Sequence, residues 1–543
     1  MTPLPPALTA LLDAQGVDAA RSRRVLAALS DGGWWTSREL VRGTAVAHRL
    51  VEAVLTALGD DLRRDGDRCR LADPAPYESF AEPPLADPVQ HLAGAHPRAA
   101  AELERLVAEA PPPRTDLDHV AATPETALRR AALLAGRFAL SGRRLLCVGD
   151  HDLTSLAATL VQRDAEAVVV DIDERMLDYI DTAAARLGLP VRCHFADLRL
   201  GLPPAVRGRA DLVFTDPPYT PEGVELFVRR GLEGLADPDH GRVLLAYGAS
   251  ETTPALLART QSRLTRLNLA FEAIWPDFNR YLGAEAIGAA SDLYVLRPTS
   301  RTPAGAEGRE AARIYSQGAH ARESAGGLAD SAVTELLDRT SAGTLVGAWP
   351  SWARPDARRI RLATWLAAPA GPEAGTSPGG ALVDLTGGWD ALLERVLLAA
   401  PAGDVHVVVP SGAAQVRDAV GQNAVRAAVG TRYELRFLRG FPDPRHTVVA
   451  ARYRAADPGD APGTRLLRHC QDRAHGSVAA VLREGLIRVA AGLGRPINKK
   501  QARTRVAAAA PWLSGHTLLD LPLHRVAALP GLTADLVAEL PAA

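Results

Sequence analysis

The chain has 543 residues, 47% of them hydrophobic, with 62 basic against 63 acidic side chains and a formal net charge of −1. That length supplies core for several domains, and the near-neutral balance removes the strong basic signature of a protein whose main partner is nucleic acid. No apolar run reaches the roughly 20 residues of a membrane span, and the opening Met-Thr-Pro-Leu-Pro-Pro lacks the order of a signal peptide, so a cytoplasmic protein without a membrane partner is expected.

Residues 1–75 read as a winged-helix-like domain. Helices are predicted over 21–30, 37–42 and 45–58, with Thr36 or Ser37 as the N-cap of the second. The run Leu62-Arg-Arg-Asp-Gly-Asp-Arg-Cys-Arg-Leu71 places Asp65-Gly66 between two strand-like segments, a hairpin signal. Because 45–58 offers only His48 and Arg49 as basic groups, beside Glu52, little there could neutralise phosphates. The domain is therefore expected to serve protein contact and a homodimer. Residues 76–122 read as linker and helix, with Pro, Asp and Glu concentrated at 73–90 and 111–117.

From 123 to 300 strand-like runs at 144–148, 167–172, 191–195, 212–215, 242–247 and 293–296 alternate with helical patterns. This predicts a doubly wound, Rossmann-like α/β sheet of the class I methyltransferase type, with ligands at the carboxyl ends of its strands. Residues 301–345 read as a second linker, 346–455 as a second α/β domain, and 456–543 as a helical C-terminal region. In that second domain Leu385-Thr-Gly-Gly388-Trp389-Asp390 reads as a turn with an N-cap.

Several chemistries are excluded by what is missing. Cys69, Cys147, Cys193 and Cys470 form no Cys-x-x-Cys pair, and no histidine pair has helical ligand spacing, so no metal is indicated. Lys499 and Lys500 are the only lysines, and no Gly-Lys-[Ser/Thr] phosphate loop exists.

The most informative stretch is Asp211-Leu-Val-Phe-Thr-Asp216-Pro-Pro-Tyr-Thr-Pro-Glu222. Pro217 and Pro218 keep the loop extended, so Asp216 can accept from an amine N–H while the ring of Tyr219 packs on a flat or cationic group. Gly149-Asp150-His151-Asp152 follows the first strand, where a donor molecule meets a helix start. A helix cap by Asp152 is the competing reading. Asp171 and Asp173 end the second strand, where a carboxylate holds a ribose diol or starts a helix, and Asp197 follows the third at the place of an adenine amino group. Trp275-Pro-Asp277-Phe-Asn279-Arg-Tyr281 offers Asp277 as a further contact, with Trp275 and Phe278 assigned to packing. Residues 141–222 hold nine arginines against thirteen acids, −4 before histidines, a field that attracts polyamines and sulfonium groups and opposes DNA phosphate.

Together, Gly149-Asp-His-Asp-Leu-Thr-Ser155 and Asp216-Pro-Pro-Tyr-Thr220 behind such an N-terminal domain resemble the branched-chain polyamine synthases, or N4-bis(aminopropyl)spermidine synthases, over about residues 1–320. Tyr315 in Arg-Ile-Tyr-Ser-Gln-Gly318 joins the resemblance. It implies transfer of an aminopropyl group from decarboxylated S-adenosylmethionine to an amine of spermidine or a related polyamine. Asp216, Tyr219 and the Pro217 carbonyl would act on the amine. Gly149, Asp150, Asp171, Asp173 and Asp197 would hold the donor, and Asp152, His151, Pro218, Thr220 and Asp277 the acceptor. The chain departs from the family's Gly-Asp-Asp-Asp at His151 and adds a long extension after residue 320. The rival readings are an amino-group methyltransferase using S-adenosylmethionine on DNA or RNA, with Tyr219 stacking on a flipped base, and a non-catalytic winged-helix regulator.

Overall fold

A computed structural model describes residues 4–16, 19–80, 89–249, 253–303, 314–315, 326–369 and 380–541. Of the sequence expectations, linker residues 81–88, 304–313 and 316–325, including Ser316-Gln317-Gly318, lie outside the described residues. Two compact units are present: Met1–Val170, Tyr179–Val191 and Val206–Ser316 form the first, and Asp171–Asp178, Arg192–Ala205 and Gln317–Ala543 the second. Two short stretches inside the predicted 123–300 domain thus group with the C-terminal half. No described helix is long and apolar enough to cross a membrane.

At the N-terminus, helices α1 (Pro6–Gln15), α2 (Ala19–Leu29), α3 (Ser37–Thr44) and α4 (His48–Ala57) accompany an antiparallel sheet of β1 (Trp35–Thr36), β2 (Leu62–Asp65) and β3 (Arg68–Leu71), in the order β1-β3-β2. Buried Leu26, Leu40, Val51, Val54 and Cys69 form their shared core. Thr36 caps α3 through a reciprocal capping box with Glu39. Ala45 takes a left-handed conformation at φ 56°, which ends α3 and delays α4 to His48. Three basic side chains of this domain are engaged within the same unit. Arg24 Nη1 lies 3.1 Å from Asp277 Oδ2, Arg38 Nε 3.2 Å from Glu285 Oε1, and Arg42 Nη2 donates to the Leu282 carbonyl at 2.5 Å.

The first α/β sheet contains β4 (Arg144–Val148), β5 (Glu166–Asp171), β6 (Val191–Phe195), β7 (Leu212–Thr215), β8 (Arg242–Tyr247), β9 (Ala270–Arg280) and β10 (Ala290–Arg297). Their order is β6-β5-β4-β7-β8-β10-β9, with β10 antiparallel to both neighbours and β4 parallel to β5 and β7. This is the Rossmann-like arrangement of class I methyltransferases, as predicted. Strand β9 escapes sequence reading because Pro276 interrupts it; as an edge strand it tolerates the missing N–H.

In the second unit, β11 (Thr344–Val346), β12 (Arg358–Ile360), β13 (Ala381–Asp384), β14 (Val405–Pro410), β15 (Tyr433–Arg439) and β16 (His446–Tyr453) form a sheet ordered β12-β11-β13-β14-β16-β15. The first four are parallel, while β16 runs antiparallel between β14 and β15. Gly387 and Gly388 turn the chain after β13 at φ 70° and 91°, conformations that suit glycine. Helices Pro462–Gln471, Val478–Gly492, Lys499–Ala509 and Leu523–Ala538 complete this unit.

Candidate active site

Four buried residues of β7 deliver Asp216 to the carboxyl end of the sheet, and the Thr215 hydroxyl anchors the strand end by donating to the Val148 carbonyl at 2.8 Å. Pro217 and Pro218 are buried. Thr220 then caps helix α8 (Pro221–Gly234): its Oγ1 accepts from Gly223 N at 3.0 Å and donates to the Ile314 carbonyl at 2.6 Å. (Helices α5, α6 and α7 are Pro124–Arg137, Thr154–Val161 and Glu174–Leu187.) The hydroxyl of Thr220 is thus given to the loop's own architecture, and the segment carrying buried Tyr315 is tied to the same loop.

A Cβ at Gly223 would sit 2.7 Å from the Pro218 carbonyl oxygen and 2.9 Å from that of Ile314. Gly223→Ala is therefore expected to move the loop and cut turnover on the order of 10²-fold, with an unchanged far-UV circular dichroism spectrum. Wild-type turnover in that variant would show that the loop's placement is not critical.

The centre of the site is a residue the sequence reading passed over. Arg130, on α5 and fully buried, donates from Nη2 to Asp216 Oδ2 at 2.6 Å and from Nη1 to Asp152 Oδ2 at 2.9 Å. It also reaches Asn279 Oδ1 through Nε at 2.8 Å, Thr154 Oγ1 at 3.2 Å and the Tyr281 hydroxyl at 3.4 Å. Asp216 further accepts from the Tyr281 hydroxyl at 2.8 Å and the Tyr219 hydroxyl at 3.1 Å, and the two phenol oxygens lie 2.8 Å apart. Tyr281 continues to Ser291 Oγ at 2.7 Å. Tyr219 thus meets Asp216 through its hydroxyl, while its ring stands edge-on to Tyr247 at 5.4 Å.

Burial shapes the protonation of this network. It raises the Asp216 carboxyl above the usual carboxylate range, a rise that Arg130 opposes and Asp152 reinforces. Burial also works against the charge of Asp152, but His151 and Arg130 outweigh it and hold that carboxyl below its ordinary range. Burial, with Asp216 next, lifts both phenols well above their normal range. Tyr219 and Tyr281 are therefore hydrogen-bond donors at any working pH.

The side chain of Asp216 is 10% exposed, and it opens onto a cavity of about 310 Å³ whose walls include Pro217, Tyr219, Tyr281, His151, His119 and Asp118. His151 Nε2 lies 2.8 Å from the Val120 carbonyl and 3.2 Å from Asp152 Oδ1, and its ring stacks on His119 at 4.3 Å with 1° between planes. Asp216, Asp152, His151, Pro217 and Tyr219 are thus brought together as the sequence suggested.

Other predicted residues have different surroundings. Asp150, not Asp152, holds the helix start: its carboxylate accepts from the amides of Thr154 and Ser155 at 2.8 and 3.0 Å, and burial pushes it up to about 7 against those bonds. Asp152 is 2% exposed and accepts from Ala122 N at 2.8 Å besides Arg130. Asp277 belongs to the contact with Arg24 rather than the cavity wall. Its φ of 52° is left-handed, a departure from the regular strand geometry that alternates side chains. Gly149 leaves β4 at φ 72°, a conformation that glycine adopts without strain.

Within the second unit, Asp171 Oδ1 accepts from Asp173 N at 2.8 Å, Asp173 pairs with Arg175 at 2.7 Å beside the start of α7, and Asp197 pairs with Arg199 at 2.6 Å. These carboxylates build turns at strand ends, in keeping with the helix-start alternative for Asp173.

Comparison with known proteins bears directly on this region, since residues 99–304 match the branched-chain polyamine synthase A C-terminal domain. Over these residues the chain is similar to that family. An N(4)-bis(aminopropyl)spermidine synthase of Thermus thermophilus is 36% identical over 167 residues, 31% of this chain and 43% of that protein. An uncharacterised protein of Methanocaldococcus jannaschii is 40% identical over 183 residues, 34% of this chain and 45% of its own length. The chain thus spans less than half the length of these family relatives. Among solved structures, the Thermus thermophilus branched-chain polyamine synthase, in complex with N4-aminopropylspermidine and 5′-methylthioadenosine, is 25% identical, with a TM-score of 0.41 covering 56% of this chain and 97% of that one.

Proposed function

We propose that this chain transfers an aminopropyl group from decarboxylated S-adenosylmethionine to an amine of spermidine or a related polyamine. The observation that carries this reading is the Asp216 carboxylate, set in an Asp-Pro-Pro-Tyr loop at the wall of a cavity and sharing Arg130 with Asp152. Two carboxylates around one guanidinium retain one net negative charge, which a single substrate ammonium can match. Relatives named as spermidine-modifying synthases support the choice of an aliphatic amine over a nucleic-acid base.

The amine must surrender a proton before its lone pair can react. Asp216 accepts that proton, the Pro217 carbonyl takes a second N–H where the amine has one, and the lone pair attacks the carbon beside the donor sulfonium. A C–N bond forms as the C–S bond breaks, and the electron pair leaves on sulfur. Asp150 is proposed for the donor, and His151 for the acceptor end, where it stands in place of a carboxylate and lowers the attraction for a second ammonium. We read the N-terminal 75 residues as a winged-helix domain for protein contact, with a homodimer as the assembly and the cytoplasm as the location.

The test is incubation of the full chain with spermidine and decarboxylated S-adenosylmethionine. Mass spectrometry is expected to find acceptor enlarged by one or two aminopropyl units. Methylated DNA or RNA made from S-adenosylmethionine, with no polyamine product, would overturn the proposal in favour of the rival methyltransferase.

A further inference from the structure

Away from Asp216, the second unit gathers His194, on β6, with His516 and Asp520, exposed by only 4, 4 and 5%. One ligand-capable atom from each lies within 4.8 Å of the others. His194 Nδ1 is 3.2 Å and His516 Nδ1 3.0 Å from the same oxygen, Asp520 Oδ1, and the two rings stack at 4.0 Å with a tilt of 27°. The other oxygen, Oδ2, is held by the Thr517 hydroxyl at 2.7 Å and its amide at 3.2 Å. Backbone bonds fix both ligand segments: Phe195 N donates to the Asp520 carbonyl and Val478 N to that of His516, each at 2.8 Å.

A tetrahedral ion with bonds near 2.0–2.1 Å sets its ligands about 3.4 Å apart, close to the two nitrogen–oxygen separations here. Two imidazoles and one carboxylate suit zinc among the divalent transition metals. Thr517 supplies the outer hydrogen bonds that commonly aim a ligating carboxylate. We propose that His194, His516 and Asp520 bind one zinc ion through two Nδ1 atoms and Oδ1, with water completing the shell. Binding displaces any proton on each Nδ1, leaves the ring N–H on Nε2, and turns the stacked rings until both lone pairs converge. The ion would join the end of β6 to residues 516–520. This inference does not depend on the aminopropyl-transfer reading.

The full chain, freed of metal by chelation and dialysed, is titrated with Zn²⁺ and separately with Co²⁺. The expected result is one ion per chain, visible d–d absorption with Co²⁺, and a melting temperature that rises with Zn²⁺. His194→Gln and His516→Gln, checked for folding by circular dichroism, should each weaken Zn²⁺ binding by about tenfold or more. If wild-type protein binds no more zinc than these variants, gives no d–d bands and shows no thermal shift, the trio is a hydrogen-bonded His-Asp-His cluster only and the proposal fails. The wild-type titration decides the matter even if a variant does not fold.

Discussion

Asp216→Asn is expected to reduce aminopropyl transfer by about 10²–10⁴-fold in kcat, the usual range for a positioned general base, without loss of the fold. Asparagine preserves the shape and can still face the Tyr219 and Tyr281 hydroxyls, but it cannot take up the amine proton. The pH profile carries the sharper signature. Since burial raises the Asp216 carboxyl above the ordinary range, and a base works only when deprotonated, the rate should climb as pH rises through that elevated value and then level off. In Asp216→Asn this acid limb should vanish. A variant that kept both full turnover and the limb would rule out Asp216 as the proton acceptor.

Arg130→Met should have the largest effect on stability. The side chain is fully buried and bonds to Asp152, Asp216, Asn279, Thr154 and Tyr281. Its removal leaves two carboxylates facing each other without their cation, and breaking a buried pair in this way costs about 3–5 kcal/mol. Urea unfolding should read that loss, and adding Asp152→Asn should recover part of it, because the two sites share one network. Whatever activity remains should have its acid limb moved to higher pH, since Arg130 is the group that opposes the rise at Asp216. Arg130→Lys is expected to rescue little, as an ammonium cannot reproduce the guanidinium's planar fork. Wild-type stability in Arg130→Met would show that the carboxylates do not depend on it.

How far the site could be read from sequence depended on how local its signals are. The Asp216-Pro-Pro-Tyr219 loop is contiguous, its prolines state their own geometry, and the alternation of strands gave the sheet. Arg130 was hidden because it sits among Ala127, Ala131 and Leu134 on the buried stripe of α5; an arginine at such a position is itself a signal, since burial demands partners. Asn279 and Tyr281 lie in the same aromatic-polar run as Asp277, but residue type alone favours the acid, and the fold pairs Asp277 with Arg24 instead. His194 and Asp520 are 326 positions apart, beyond the reach of any spacing rule for metal ligands. Asp150 and Asp152 show the limit of reading by residue type, for two similar acids in one loop take opposite tasks according to which amides and cations the fold places beside them.

The second sheet repeats most of the strand order of the first. Delete the third strand from β6-β5-β4-β7-β8-β10-β9, renumber along the chain, and the result is β12-β11-β13-β14-β16-β15 with the same strand directions. By that correspondence β13 is the counterpart of β7, and Asp384-Leu385-Thr386 occupies the place of Thr215-Asp216-Pro217. Leu385 thus stands where the first sheet has Asp216, and Asp384, one residue earlier, accepts from the Thr386 amide at 2.8 Å and hydroxyl at 2.6 Å. The two sheets thus share a strand order, but the second places an apolar leucine at the strand end where the first places Asp216.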